Sequence, residues 1–231
     1  MEILRLRPAD LPVPLVDIAV VMDVFRMTST AAALMRRTAC TRASVAATLD
    51  DLEHLPAGER VLISELPEAE HRGTRIDNSP AQASRVDLTG RMPVLVTTNG
   101  TRVLLAAAAC AQRVLLGCFG DVHALARYVI SMRPARVLLL PAGHIASGRG
   151  CIEDDLCADV FEALVLGRAV DVAAALTDIR ADSRVIQRCE AEAGFEADVD
   201  LALRCDDESE PLEFLAINTS VGHIVAAQRT Q

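Results

Sequence analysis

Val94-Leu95-Val96-Thr97-Thr98-Asn99-Gly100-Thr101-Arg102-Val103-Leu104-Leu105-Ala106-Ala107-Ala108-Ala109 runs from a short β-branched stretch through five small polar residues into an alanine-rich helical pattern. This order reads as strand, polar turn and helix start. Thr97, Thr98, Asn99, Gly100 and Thr101 bring hydroxyls, a carboxamide and the unpaired N–H groups of a helix start to one point, which suits an anion such as phosphate. The same grammar recurs twice. Ile18 to Val24 leads through Asp23, Arg26, Thr28, Ser29 and Thr30 into an Ala-rich helix, and Val137 to Leu140 leads through Ala142-Gly143 and a Gly/Ser loop to Glu153-Asp154. One such turn is explained by capping and turn chemistry alone. Three of them are expected to converge, because ligands of open α/β sheets sit at the carboxyl ends of the strands.

Working outward, strands are expected over 18–24, 42–47, 60–64, 93–97, 113–118 and 136–141, with helices over 27–38, 49–55, 99–111 and 121–132. A polar loop covers 65–78, a short helix starts at Pro80, residues 152–191 read as helix broken near Gly167, and a final strand is expected over Gly222 to Ala227. The alternation predicts an α/β fold of three α/β/α layers on a largely parallel or mixed sheet. It is read as one domain over 1–231, since no Gly-, Ser- or Pro-rich linker divides the chain. The similarity of 18–35 to 93–109 leaves room for two related halves, about 1–90 and 91–231, sharing a cleft. The acidic stretch Asp206 to Glu210 reads as a solvated loop.

With 231 residues, 51% of them hydrophobic, the chain can bury a full core. No apolar run reaches the roughly 18–20 residues that span a bilayer, and Met1-Glu2-Ile3-Leu4-Arg5-Leu6-Arg7-Pro8 does not look like a signal peptide. A cytoplasmic location and no membrane partner are therefore expected. Seven cysteines, an odd number without CxxC pairs, read as reduced thiols rather than a zinc site or disulfide framework. The net charge of −9 and the absence of Trp argue against nucleic acid as a partner. All basic side chains apart from five histidines are arginines, so anion binding by charge must use guanidinium groups.

Missing motifs narrow the chemistry. A P-loop needs a lysine that this chain lacks, no G-x-G-x-x-G follows a strand, and neither G-x-S-x-G nor H-E-x-x-H occurs. None of the cysteines has the arginine six residues on that a thiol phosphatase uses; Cys157, beside Glu153-Asp154-Asp155, is expected to pack. What remains is a set of carboxylates and oxyanion ligands on loops: Asp23, Glu65, Glu68 and Glu70, Asp77-Asn78-Ser79, and Glu153-Asp154-Asp155. Hard carboxylate oxygens beside phosphate-holding Thr, Asn and Arg suit Mg²⁺, which takes one or two carboxylates with waters and substrate oxygens. Asp77 to Ser79 also makes a good helix cap before Pro80, and Glu153-Asp154 suits a helix dipole. Asp23 differs, since a charge ending an apolar central strand is costly to bury unpaired.

Met22-Asp23-Val24-Phe25-Arg26-Met27-Thr28-Ser29-Thr30, Glu70-His71-Arg72-Gly73, Asp77-Asn78-Ser79-Pro80, Thr97-Thr98-Asn99-Gly100-Thr101 and Glu153-Asp154-Asp155-Leu156-Cys157-Ala158 occur in this order over roughly residues 16 to 212. Together they resemble the 2-phosphosulfolactate phosphatase family. The chain departs from the family pattern at Met27, Ser29, Asp77 and Asp159. The resemblance implies a Mg²⁺-dependent phosphatase that converts 2-phospho-3-sulfolactate to 3-sulfolactate on the route to coenzyme M. On this basis Asp23, Arg26, Glu153 and Asp154 are the expected catalytic residues, with Asp23, Glu153 and Asp154 at the metal. Thr28, Ser29, Thr30, Asn78, Ser79, Thr97, Thr98, Asn99, Gly100 and Thr101 are expected to bind substrate, and Arg72 or Arg75 to take its sulfonate or carboxylate. The partner is then a small anionic phosphorylated molecule, and a homo-oligomer is compatible with the pattern. A non-catalytic anion-binding protein, or a lyase or isomerase using the same carboxylates on a phosphorylated acid, are the alternatives.

Overall fold

The computed structural model describes residues 1–37, 40–205 and 210–228, so most of the acidic stretch read as a solvated loop lies outside the described residues. In chain order the elements are β1 (Glu2–Arg5), β2 (Val16–Met22), α1 (Met27–Arg37), β3 (Ala43–Ala46), β4 (Arg60–Ile63), β5 (Arg75–Ile76), α2 (Pro80–Ala83), β6 (Met92–Leu95), α3 (Gly100–Ala108), β7 (Ala111–Gly117), α4 (Val122–Met132) and β8 (Arg136–Pro141). They continue with α5 (Ile152–Val165), α6 (Val172–Ala181), α7 (Ser183–Ala191), α8 (Phe195–Ala202), β9 (Leu212–Ala216) and β10 (Val221–Ala226).

The strands form one mixed sheet in the order β1-β8-β2-β7-β9-β10-β3-β6-β4-β5. β1, β8, β2 and β7 pair in parallel, as do β3, β6, β4 and β5. The β9–β10 hairpin joins the two groups with antiparallel pairings to β7 and β3. A boundary near residue 90 does not coincide with a division of this sheet: β6 lies among β3, β4 and β5, while β1 and β2 lie with β7 and β8.

A central parallel strand is buried on both faces and so reads as an unbroken apolar run. In β2, Ala19 and Val21 pack with Met27, Ala31 and Leu34 of α1 and Val103, Leu104 and Ala107 of α3. Ile18, Val20 and Met22 face the opposite way, onto α4, α5 and the helices after it, through residues such as Leu125, Phe161, Ile179, Val185 and Phe195. These are the outer layers of the expected α/β/α arrangement. The cluster around α1 and α3 also contains Val45 of β3, Ile63 of β4 and Leu95 of β6. The sheet therefore curls around these two helices and draws its two parallel groups together.

The differences from the pattern have local causes. β1 is an edge strand whose Arg5 looks polar in sequence but reaches Asp155 and Asp159 of α5, and Arg7 just after it also pairs with Asp155. Residues 50–54 form a 3₁₀ turn instead of an α-helix, and the expected loop 65–78 holds a second 3₁₀ turn, Pro67–His71, and the two-residue β5. The run 152–191 breaks at Asp182 as well as near Gly167, because Asp182 turns out of the helix and caps α7 by accepting from the Arg184 N–H. Among the described residues no helix is long and apolar enough to cross a membrane.

Candidate active site

Asp23 follows β2, Glu65 follows Ile63-Ser64 at the end of β4, Asn78 follows β5, Thr98 and Asn99 follow β6, and Glu153 opens α5 after the β8 loop. On a flat sheet β2 and β4 would stand roughly 29 Å apart, six strand spacings away. The curl instead brings all five strand ends onto one cleft of about 380 Å³. The same cleft is lined by His144 and Arg149 of the β8–α5 loop, by Arg184, Val185 and Arg188 of α7 with Asp182 and Glu192 at its ends, and by Phe195 of α8.

Asp23 lies at the floor, 7% exposed. Burial, then the nearby charges of Glu65 and Glu153, push its carboxyl up to about 7, against the pull of hydrogen bonds from the Gly100 and Met27 N–H groups. Gly100 makes this approach possible. A methyl group there would collide with Asp23 Oδ2 and sit 2.5 Å from Met27 Cε, and φ is not positive, so space and not backbone freedom requires the glycine. Burial also raises the Glu153 carboxyl, while Arg188 and Arg184 act in the other direction. Asp154 is 2% exposed; its Oδ1 accepts from the Val24 N–H at 2.7 Å and its Oδ2 from the Gly143 N–H at 2.9 Å. It braces the β2 and β8 loops against each other. Gly143 is required there twice over, by a φ of +56° and by the Arg149 carbonyl oxygen, 2.6 Å from where a Cβ would stand.

Glu65, in sequence one of several loop carboxylates, lines the cleft. Its Oε1 accepts from the Thr98 N–H at 2.6 Å and from the Thr98 hydroxyl, while its Oε2 is buried with no hydrogen-bond partner. Asn78 Oδ1 is buried and unpartnered on the same cleft. Among the described residues no three His, Cys, Asp or Glu side chains converge tightly enough to chelate a metal on their own. The arrangement fits an ion such as Mg²⁺ that takes one or two carboxylates and fills its remaining positions with other oxygens.

Arg149, Arg184 and Arg188 line the same cleft, and the charges of two of them, Arg184 and Arg188, act on Glu153. Arg188 lies over the Phe195 ring at 3.9 Å and holds Glu192 with two hydrogen bonds of 2.8 and 3.0 Å. Arg184 leans on Asp182, and Arg149 makes no ion pair among the described residues. Arg184, Val185 and Arg188 share one face of α7 at i, i+1 and i+4, a spacing that was visible in the sequence but lay inside what read as one long helix.

Of the expected site residues, Asp23, Arg26, Asn78, Thr98, Asn99 and Glu153 line the cleft. The others do not. Thr28 hydrogen-bonds back to the Asp23 carbonyl oxygen at 2.8 Å and shapes the turn. Ser29 faces a separate small cavity near Pro80 and Arg36, and Thr30 is fully buried. Thr97 and Thr101 bond reciprocally, each backbone N–H donating to the other's hydroxyl oxygen at 3.2 Å. Ser79 caps α2 and donates to Asp198. Arg72 pairs with exposed Asp50, and Arg75 with the Ser64 carbonyl oxygen and Glu70. Gly100 spends its N–H on Asp23. Small hydroxyl residues at a strand end are as useful for closing the turn as for binding a ligand, and here most of them close the turn.

Arg26 lies at the edge of the cleft, its Nη1 shared by Asp77 at 2.9 Å and Asp198 at 2.8 Å. Asp198 of α8, 1% exposed, also accepts from Ser79 and the Ala81 N–H, so it ties three segments together, and nothing in its local sequence marks it out. Cys157 is fully buried in the core and its thiol is held well above the usual range, first by burial. Cys151 lines the cleft, but burial and the charges of Glu153, Asp154 and Asp23 push its thiol up to about 12, unfit for a nucleophile.

Residues 6–207 match the family described as 2-phosphosulpholactate phosphatase. The chain belongs to that family. Proteins named probable 2-phosphosulfolactate phosphatase are similar to it: one from Deinococcus radiodurans is 32% identical over 157 residues, covering 65% of this chain and 62% of the relative. One from Synechocystis sp. is 31% identical over 67% of this chain and 64% of the relative, and one from Caldicellulosiruptor saccharolyticus is 29% identical over 81% and 85%. The chain thus spans less than two thirds of the first two relatives. Its departures from the family pattern each have a place in the structure. Met27 is fully buried, Ser29 lines the small cavity, Asp77 pairs with Arg26 and Asp159 pairs with Arg5.

Proposed function

We propose that the chain is a Mg²⁺-dependent phosphatase that hydrolyses the phosphate monoester of a small hydroxy acid bearing a second anionic group, namely 2-phospho-3-sulfolactate or a close analogue. The observation that carries this reading is that one cleft of a 2-phosphosulpholactate phosphatase family member is lined both by the carboxylates Asp23, Glu65 and Glu153 and by Arg149, Arg184 and Arg188. A cation at the floor would neutralise charge on the transferring phosphoryl group. Asp23 would hold it. Glu153, its carboxyl raised by burial, takes a proton from the attacking water as the new P–O bond forms and the ester P–O bond breaks, and the departing alkoxide takes its proton from solvent. Arg149 and Arg184 hold the sulfonate or carboxylate, for which planar guanidinium groups give paired hydrogen bonds. Arg188 is fixed beside them by Glu192 and Phe195.

The test is a panel of small phosphorylated acids assayed for free phosphate with Mg²⁺, with EDTA, and with Mg²⁺ restored. Release from doubly anionic substrates that stops in EDTA and returns with Mg²⁺ is expected. No release across the panel from folded protein would refute the phosphatase reading, and undiminished release in EDTA would remove the ion from it.

A further inference from the structure

Glu65 and Asn78 stand side by side. β4 and β5 pair in parallel with Leu62 opposite Arg75 and Ile63 opposite Ile76, and the Ser64 N–H continues the ladder to the Ile76 carbonyl oxygen at 3.1 Å. Two residues beyond the last pair come Glu65 and Asn78. Both line the cleft floored by Asp23. Thr98 fixes one Glu65 oxygen and leaves Oε2 buried and unpartnered; Asn78, only 4% exposed, buries an unpartnered Oδ1. Two unmet buried acceptors on residues that line one cleft call for a positive ligand, and an anion would worsen both. Hard oxygens, one charged and one an amide carbonyl, suit a divalent cation of the Mg²⁺ type.

We infer that Glu65 Oε2 and Asn78 Oδ1 complete, with Asp23, the protein's share of the oxygen ligands around the divalent cation, and that Asp154 is a brace and not a ligand. This rests on the Mg²⁺-dependent reading above. Two carboxylates and one amide oxygen leave the remaining positions to water and substrate.

Direct binding tests it, with Mn²⁺ followed by electron paramagnetic resonance and Mg²⁺ competing, in the wild type, Glu65→Gln and Asn78→Ala. Glutamine keeps an oxygen for Thr98 and places an NH₂ group where Oε2 stood. Glu65→Gln is expected to weaken Mn²⁺ binding by about tenfold or more, and Asn78→Ala to weaken it less, with unchanged far-ultraviolet circular dichroism. Wild-type affinity in folded Glu65→Gln overturns the inference and leaves the Mg²⁺ reading standing. Should Glu65→Gln not fold, wild-type affinity in Asn78→Ala overturns it instead. A wild-type protein that binds neither ion overturns both.

Discussion

Asp23→Asn is expected to make the protein more stable at pH 8 while removing most of its activity. An ordinary aspartate loses its proton near 3.8, whereas Asp23 in the folded chain holds its proton up to about 7. Across that window the folded state binds more protons than the unfolded one, so this group lowers stability as pH rises, by about 4 kcal/mol once both states are ionised. Asparagine cannot ionise and escapes the penalty. It also turns an NH₂ group toward one of the two backbone N–H donors, Gly100 or Met27, at a cost of about 1–3 kcal/mol. The net gain at pH 8 is therefore about 1–3 kcal/mol. At pH 4 the carboxyl is protonated in the folded chain and the gain vanishes. Urea unfolding of both proteins in EDTA at pH 4 and pH 8, with equal m-values, measures the difference, and phosphate release is followed in parallel. A variant less stable than wild type at pH 8, or a stability difference that does not change with pH, would refute the account of Asp23 as a destabilised buried charge.

Gly100→Ala gains about 1 kcal/mol in helix propensity but forces a methyl group into Asp23 and Met27, so a net loss of about 1–3 kcal/mol and a fall in activity are expected; a variant of full stability and activity would contradict the close approach drawn here. Cys157→Ser should cost about 1–3 kcal/mol for a buried hydroxyl yet keep most turnover per folded molecule, and a trapped phosphocysteine would show the opposite. Arg72→Ala removes an exposed pair with Asp50 and should change stability by less than about 1 kcal/mol without moving KM; a raised KM would return Arg72 to the substrate.

The elements that decide the architecture were legible because their patterns are strong. β2, β6 and β8 are apolar runs ended by polar turns, and the convergence of those three turns is legible in the sequence alone. What the hydroxyl side chains do was not. Thr28, Thr97 and Thr101 satisfy backbone groups of their own turns, and sequence cannot separate that use from ligand binding. β1 and β9 escaped because half of their residues carry charge or face solvent. Arg184 and Arg188 were hidden for another reason. α7 reaches the cleft only because the chain turns at Asp182, and the ion partners of Arg26 come from residues 77 and 198, a separation that no local pattern encodes.

The β9–β10 hairpin sets the order in which the molecule can be completed. By residue 205 both parallel groups of strands and all eight described helices have been synthesised, yet β7 and β3 have no strand between them until residues 212–226 follow. Each of these late pairings closes a loop of roughly a hundred residues or more, the kind of long-range contact whose entropy must be lost before any packing is gained. A chain emerging from the ribosome thus carries the carboxylates of one half and those of the other without the strands that hold them face to face. The cleft is among the last parts of the molecule to exist, since Leu212, Phe214 and Ile224 of the hairpin also complete the core on which α1 and α3 pack.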